Sequence, residues 1–116
     1  MTSAHPVFRG LIEQSRCGPV VVAHRGDSAN FPENTLPAFA AALQLGVAMQ
    51  EFDVRATRDG MLACLHDATF DRTTDAALRL GPGALIAETT WREVRTLDAG
   101  GGAPVPSLSE VTLSST

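Results

Sequence analysis

Val20-Val21-Val22-Ala23-His24-Arg25-Gly26-Asp27-Ser28-Ala29-Asn30-Phe31-Pro32-Glu33-Asn34-Thr35 is the stretch on which the fold turns. Four apolar residues rich in valine suit a short strand buried on both faces, the kind parallel sheets use. The run stops abruptly at His24, Arg25 and Gly26 and passes into a polar loop containing Pro32. Parallel sheets bind ligands where the carboxyl ends of strands meet the following loops. His24 and Arg25 stand at that junction, a titratable imidazole beside a fixed positive charge that favours anions. The bland alternative is a strand end with incidental polar residues.

Outward from this stretch the order is strand, helix, strand. Leu36, Phe39, Ala40 and Leu43 recur at helical spacing. Asn34 or Thr35 serves as N-cap, Pro37 falls in the first turn and Gly46 takes the stop position. Val47 to Val54 reads as a second strand, so a parallel βαβ unit is expected. Residues two apart on a strand share a face, so Glu51 and Asp53 project together, about 7 Å apart. Phe52 and Val54 then point the other way, toward covering helices. Two acids on an inner face repel and lose hydration unless a positive charge sits between them. A hard divalent cation with oxygen ligands meets that need; the alternative is a plain solvent-exposed acidic face.

Asp59-Gly60 between extended apolar runs predicts a hairpin. A two-residue loop pairs Arg58 with Met61, Ala56 with Ala63, Val54 with Leu65 and Asp53 with His66. On that register the hairpin returns His66 to the acidic pair. Phe70 to Asp75 is turn-rich, and Gly81-Pro82-Gly83 marks a loop. Thr90-Trp91-Arg92-Glu93 is a capping box opening a helix through Leu97, with Trp91, Val94 and Leu97 as its apolar side. Ser107-Leu108-Ser109-Glu110 is a second capping box, with six residues after it.

Bulk properties bound the function. The chain has 116 residues, 44% hydrophobic and 19% charged, which is the balance of a globular domain. A formal net charge of −4 argues against nucleic acid as partner, because phosphate neutralisation needs a basic face. No apolar run approaches the ~20 residues of a membrane span. The amino terminus lacks a signal-peptide core, and Val7, Phe8, Leu11 and Ile12 suggest a lead-in helix within residues 1–19. Cys17 and Cys64 lack disulfide or metal spacing, so free thiols and a cytoplasmic location are expected.

The motifs together resemble the glycerophosphodiester phosphodiesterase family. The matching pieces stand in order: His24-Arg25-Gly26, Pro32-Glu33-Asn34-Thr35, Ala38-Phe39, Glu51-Phe52-Asp53-Val54, Thr57-Arg58-Asp59-Gly60, His66-Asp67, Asp71-Arg72-Thr73-Thr74, Leu97-Asp98-Ala99-Gly100 and Pro106-Ser107-Leu108. The resemblance implies an α/β fold, the amino-terminal part of a TIM-type (β/α)8 barrel. The domain over residues 20–116 is then expected to be truncated at its carboxyl end, since such barrels need about 250 residues. It also implies His24 and His66 as a general acid/base pair, Arg25 as phosphate holder, Glu51 and Asp53 as ligands of Mg²⁺ or Ca²⁺, and Glu33 and Asn34 as supports. A glycerophosphodiester such as glycerophosphocholine would be cleaved to glycerol 3-phosphate and an alcohol.

Family members carry a further acidic metal ligand, usually near a lysine, on a later strand; no lysine follows Asp53 here. Ala76 and Ala77 stand where the family usually has glycine, and Gln50 is less apolar than usual. Two other readings compete. One is a related lipid phosphodiesterase, phospholipase D-like or phosphoinositide-specific, for which Phe31 and Phe70 hint at an apolar rim. The other is a non-catalytic fragment that acts only on association with another chain. An open barrel portion would expose sheet edges and apolar faces, which favours self-association.

Overall fold

A parallel strand pair needs a crossover, and Thr35 starts one here. The computed structural model describes residues 6–114. Helix α1 (Pro6–Arg16) leads in, and strand β1 (Val22–His24) follows. Thr35 Oγ1 accepts a long hydrogen bond from Ala38 N–H (3.5 Å), and Pro37 lies in the first turn of α2 (Leu36–Gln44). Gly46 leaves the helix at φ 73, the left-handed stop its position suggested. Strand β2 (Met49–Glu51) then returns parallel to β1, pairing Val22 with Met49, Ala23 with Gln50 and His24 with Glu51. This is the expected βαβ unit.

The hairpin departs from its expected register by one residue. Strands β3 (Val54–Ala56) and β4 (Leu62–Cys64) pair Val54 with Cys64, Arg55 with Ala63 and Ala56 with Leu62. The loop holds three residues, Arg58-Asp59-Gly60, closed by Thr57 N–H to Met61 O at 2.8 Å. Gly60 sits at φ 84, the left-handed position that three-residue hairpin loops require. Asp59 explains the extra residue: its Oδ1 accepts from Thr57 Oγ1 (2.6 Å) and from the Trp91 N–H (3.0 Å). The hairpin tip is thereby tied to the start of the next long-range element. Space around Gly60 is open, so Gly60→Ala meets backbone strain alone. It is expected to cost about 1–2 kcal/mol by urea unfolding; an unchanged midpoint would contradict the loop geometry.

Beyond the hairpin come α3 (Ala76–Arg79), a 3₁₀ turn (Ile86–Glu88), α4 (Trp91–Val94) and α5 (Leu108–Ser114). Both predicted capping boxes form. Thr90 and Glu93 cap α4 reciprocally, as do Ser107 and Glu110 at α5. Helix α4 is one turn long rather than extending to Leu97, although Val94 and Leu97 are buried as expected and Trp91 packs beside them.

The main core lies beneath the hairpin, not around the parallel pair. Ala63, Leu65, Phe70, Ala76, Ile86, Val94, Leu97, Ala99 and Val105 pack together. A smaller cluster joins Phe39 of α2, Cys64 and Val111 of α5, with Phe52 meeting Phe39 edge-to-face at 5.9 Å. Burial of an aromatic side chain such as Phe39 or Phe70 contributes about 1.5–3 kcal/mol. The expectation of a first strand buried on both faces is corrected: Val21 is 60% exposed and Val22 is also exposed. Among the described residues only β2 pairs with β1. Val54 is likewise exposed rather than packed on helices. Phe70 is fully buried, which leaves Phe31 as the exposed member of the supposed apolar rim. No helix among the described residues is long and apolar enough to cross a membrane.

Candidate active site

Parallel pairing decides the first contact of the site. Register places His24 beside Glu51, and His24 Nε2 lies 3.6 Å from Glu51 Oε2. Arg25 N–H continues the ladder to Glu51 O at 2.8 Å, after which the chain turns sharply. Arg25 adopts φ 61, and Gly26 follows at φ 76. A left-handed arginine is costly, and such strain persists only where surroundings impose it. Here they do: Asn34 N–H donates to Arg25 O (3.0 Å), and Asp27 N–H donates to Ala38 O (2.9 Å).

Asn34 is the second left-handed residue, at φ 56, and it is buried. Its amide bridges to the acidic segment: Nδ2 donates to Asp53 Oδ2 (3.1 Å), and Asp53 N–H donates to Asn34 Oδ1 (3.3 Å). Arg25 Nε lies 3.4 Å from the same Asp53 Oδ2, and Arg25 Nη1 donates to Glu33 Oε2 at 2.5 Å. Thus His24, Arg25, Glu33, Asn34, Glu51 and Asp53, all singled out from sequence, form one contact set.

His66 joins that set indirectly. The shifted register puts Leu65 opposite Asp53, with Leu65 N–H donating to Asp53 O at 3.1 Å. The His66 backbone carbonyl accepts from Arg55 Nε (2.7 Å), and its ring Nδ1 lies 2.6 Å from Asp67 Oδ1. Arg72 clasps Asp67 through Nε (2.8 Å) and Nη2 (3.1 Å), and its Nη1 donates to Glu33 Oε1. The route from His66 to the acids therefore runs through Asp67, Arg72, Glu33 and Arg25. An open cleft of about 480 Å³ is lined by Phe52, Asp53, Val54, Arg55, Leu65 and His66, so Asp53 and His66 share one surface. A second hollow of about 560 Å³ at the end of α1 is lined by Gly10, Glu13, Gln14, Cys17, Gly18 and Pro19, with no such constellation.

The electrostatics follow from these partners. Hydrogen bonds from Arg72 and then from His66 hold Asp67 well below the usual carboxylate range. Partial burial pushes Glu33 up, but the hydrogen bonds and charges of Arg72 and Arg25 outweigh it and leave Glu33 lowered. Burial, with the charges of Asp53 and Glu110, pushes the Cys64 thiol up to about 12, so it stays an unreactive core group.

For a cation, the described residues offer two hard donors rather than a closed cage. No group of three or more His, Cys, Asp or Glu side chains among them is arranged to hold a metal. Glu51 Oε2 is nonetheless buried without a hydrogen-bond partner, as is Arg25 Nε. A buried carboxylate oxygen without a partner fits an oxygen-seeking divalent ion such as Mg²⁺ or Ca²⁺.

Sequence reasoning assigned no role to Asp67 or Arg72. Adjacency of His66 and Asp67 was a usable signal; the Arg72–Glu33 contact spans 39 residues and had none. The support from Gly100 was equally hidden: a Cβ there would lie 2.5 Å from Pro32 Cγ, so the 97–102 loop packs hard behind Pro32-Glu33-Asn34.

Comparison with known proteins gives this site its relatives. The chain is 44% identical to a glycerophosphodiester phosphodiesterase of Caldanaerobacter subterraneus, over 79% of this chain and 38% of that protein. A probable glycerophosphodiester phosphodiesterase 1 of Mycobacterium tuberculosis is 46% identical over 71% of this chain and 28% of that one. This chain thus spans well under half the length of these curated relatives. Among solved structures, a glycerophosphodiester phosphodiesterase of Agrobacterium tumefaciens matches with TM-score 0.70 at 40% identity, covering 78% of this chain and 40% of that one. An Oleispira antarctica phosphodiesterase in complex with the product sn-glycerol-3-phosphate matches with TM-score 0.74 at 36% identity, covering 83% and 39%. The fold is that of part of a TIM-type (β/α)8 barrel. The family model for glycerophosphoryl diester phosphodiesterases begins its match at His24, where the site begins, and carries it through residue 113. The chain belongs to that family.

Proposed function

We propose that residues 20–116, preceded by the lead-in segment 1–19, supply the His/His, arginine and carboxylate side of a metal-dependent glycerophosphodiester hydrolase. The observation that carries this reading is the single contact set at the strand ends, in which His24 pairs with Glu51 while Arg25 meets Asp53 and Glu33. A phosphodiester anion repels nucleophiles, so its charge must be met before attack. Arg25, held in its turn by Glu33 and Asn34, offers its guanidinium charge to a non-bridging oxygen. Mg²⁺ or Ca²⁺ held by Glu51 and Asp53 would act as Lewis acid toward the same phosphate. His24 and His66, whose side chains are both exposed, exchange protons with the nucleophile and the leaving alkoxide. The free thiols of Cys17 and Cys64 favour a reducing, cytoplasmic setting.

Release of glycerol 3-phosphate from glycerophosphocholine tests the reading. It is measured on this chain and on a chimera carrying residues 1–116 in place of the matching segment of the Caldanaerobacter protein. Turnover abolished by EDTA and restored by Mg²⁺ or Ca²⁺ is expected from the chimera, with a bell-shaped pH–rate profile. His66→Ala should reduce it by at least about a hundredfold. A folded chimera without turnover, or a fully active His66→Ala, overturns the proposal.

A further inference from the structure

Among the groups at the site, Arg72 stands out because it touches both halves while sitting in neither. We propose that Arg72 is a positioning residue that selects the tautomer of His66 through Asp67 and couples that histidine to Arg25 through Glu33. The inference rests on His66 acting as an acid or base in the function proposed above, but its geometry stands independently.

Arg72 uses three of its donors on two carboxylates. Nε and Nη2 fork onto Oδ2 and Oδ1 of Asp67, at 2.8 and 3.1 Å, and Nη1 reaches Oε1 of Glu33. A planar guanidinium fork fixes the orientation of the carboxylate it grips, which a lysine ammonium cannot do. Asp67, so gripped, presents Oδ1 to His66 Nδ1 at 2.6 Å. The same arginine keeps Asp67 ionised, and an ionised carboxylate only accepts. Nδ1 must therefore carry the hydrogen, which leaves the Nε2 lone pair as the nitrogen able to accept a proton from a reactant.

The other half of the coupling lies in Glu33, whose two oxygens are divided between two arginines. Oε1 takes Arg72 and Oε2 takes Arg25 at 2.5 Å. Arg25 in turn lies 3.4 Å from Asp53. Exposed single ion pairs contribute little, and Arg72 is half exposed. Here the pairs form one chain with a bidentate link and a Glu33 side chain only 14% exposed, so orientation rather than raw stability is what the network secures. An alternative role, a plain clasp between the 25–35 loop and the 66–75 turn, makes a different prediction. His66 and Asp67 are sequence neighbours, so a clasp could be cut without altering the tautomer.

Long-range ¹H–¹⁵N correlation spectra of the histidine-labelled full chain, recorded over a pH series until the ring signals are those of neutral imidazole, separate these roles. Assignment of His66 comes from comparison with His24→Gln and His5→Gln spectra. The wild-type chain is expected to show His66 with Nδ1 protonated and Nε2 bare. Arg72→Met should shift the Nδ1–H to Nε2–H ratio about tenfold toward Nε2–H, the loss of a charge-assisted contact. Arg72→Lys should fall between them. Asp67→Asn, whose amide can donate to Nδ1, should favour Nε2–H outright. A folded Arg72→Met with the wild-type ratio overturns the proposal. If Arg72→Met fails to fold, a wild-type ratio in either Arg72→Lys or Asp67→Asn overturns it instead. None of these readouts needs turnover, so an inactive folded chimera together with the expected tautomers would refute the proposed hydrolase and leave this inference standing.

Discussion

Gly26→Ala is expected to lower the stability of the chain by about 2–5 kcal/mol and to displace Arg25 with it. Two costs add. Gly26 sits at φ 76, a left-handed conformation that costs a residue with a Cβ about 1–2 kcal/mol. A Cβ there would also stand 2.7 Å from the Ala38 carbonyl carbon and 2.9 Å from both its Cβ and its oxygen. Those atoms belong to the first turn of α2, capped by Thr35 and closed by Asp27 N–H on Ala38 O, so they have little room to retreat. Overpacking of this kind costs about 1–3 kcal/mol more. Against a total stability of about 5–15 kcal/mol, the loss is large. Urea unfolding measures it, and phosphate affinity should fall in parallel because Arg25 precedes the displaced residue. A midpoint shift equivalent to less than about 1 kcal/mol would show that loop and helix do not meet as tightly as described.

Glu51→Gln should separate function from stability. Divalent-ion affinity is expected to drop by at least about a hundredfold, since the substitution removes the charge of one of the two carboxylates proposed to hold the ion. Without metal, stability should change by less than about 0.5 kcal/mol or rise slightly. The reason is that Glu51 Oε2 is buried and accepts no hydrogen bond, while its neighbour His24 is 66% exposed. Asp53→Asn makes the contrast. Asp53 Oδ2 accepts from Asn34 and neighbours Arg25, so its loss should weaken both metal binding and the metal-free fold. Calorimetric titration with Mg²⁺ and Ca²⁺, alongside unfolding in EDTA, reads both effects. A Glu51→Gln chain that binds either ion as well as the parent would remove the acidic pair from the metal site.

The pattern of what could be foreseen is physical. Helix α2 was legible because its signals are local: Thr35 caps, Pro37 fits the first turn, Gly46 stops. Both capping boxes were legible for the same reason. The hairpin's existence was local too, but its register was not. Asp59 spends its carboxylate on Trp91, 32 residues away, and that contact selects the three-residue loop over the two-residue one. One residue of register then moved His66 from opposite Asp53 to a place it shares with Asp67 and Arg72.

Burial was misjudged where it depends on neighbours. A valine-rich run indicates a strand that can be covered, whereas coverage depends on what packs against it; here Val21 and Val22 stay exposed and the core gathers under β4 instead.

By itself, then, the sequence determined the local pieces: a βαβ unit, a hairpin, two capped helices and the identity of the chemical groups at the strand ends. Hydrogen bonds between residues three or four apart and alternation along a strand are enough to write these. Only the tertiary structure decided which groups meet. The His24–Glu51 contact comes from parallel register, the Asn34–Asp53 bridge from two left-handed turns, and the Arg72 link from a loop brought back across 39 residues. Such long-range contacts depend on packing that closes all the intervening segments at once, and no short stretch of sequence encodes that.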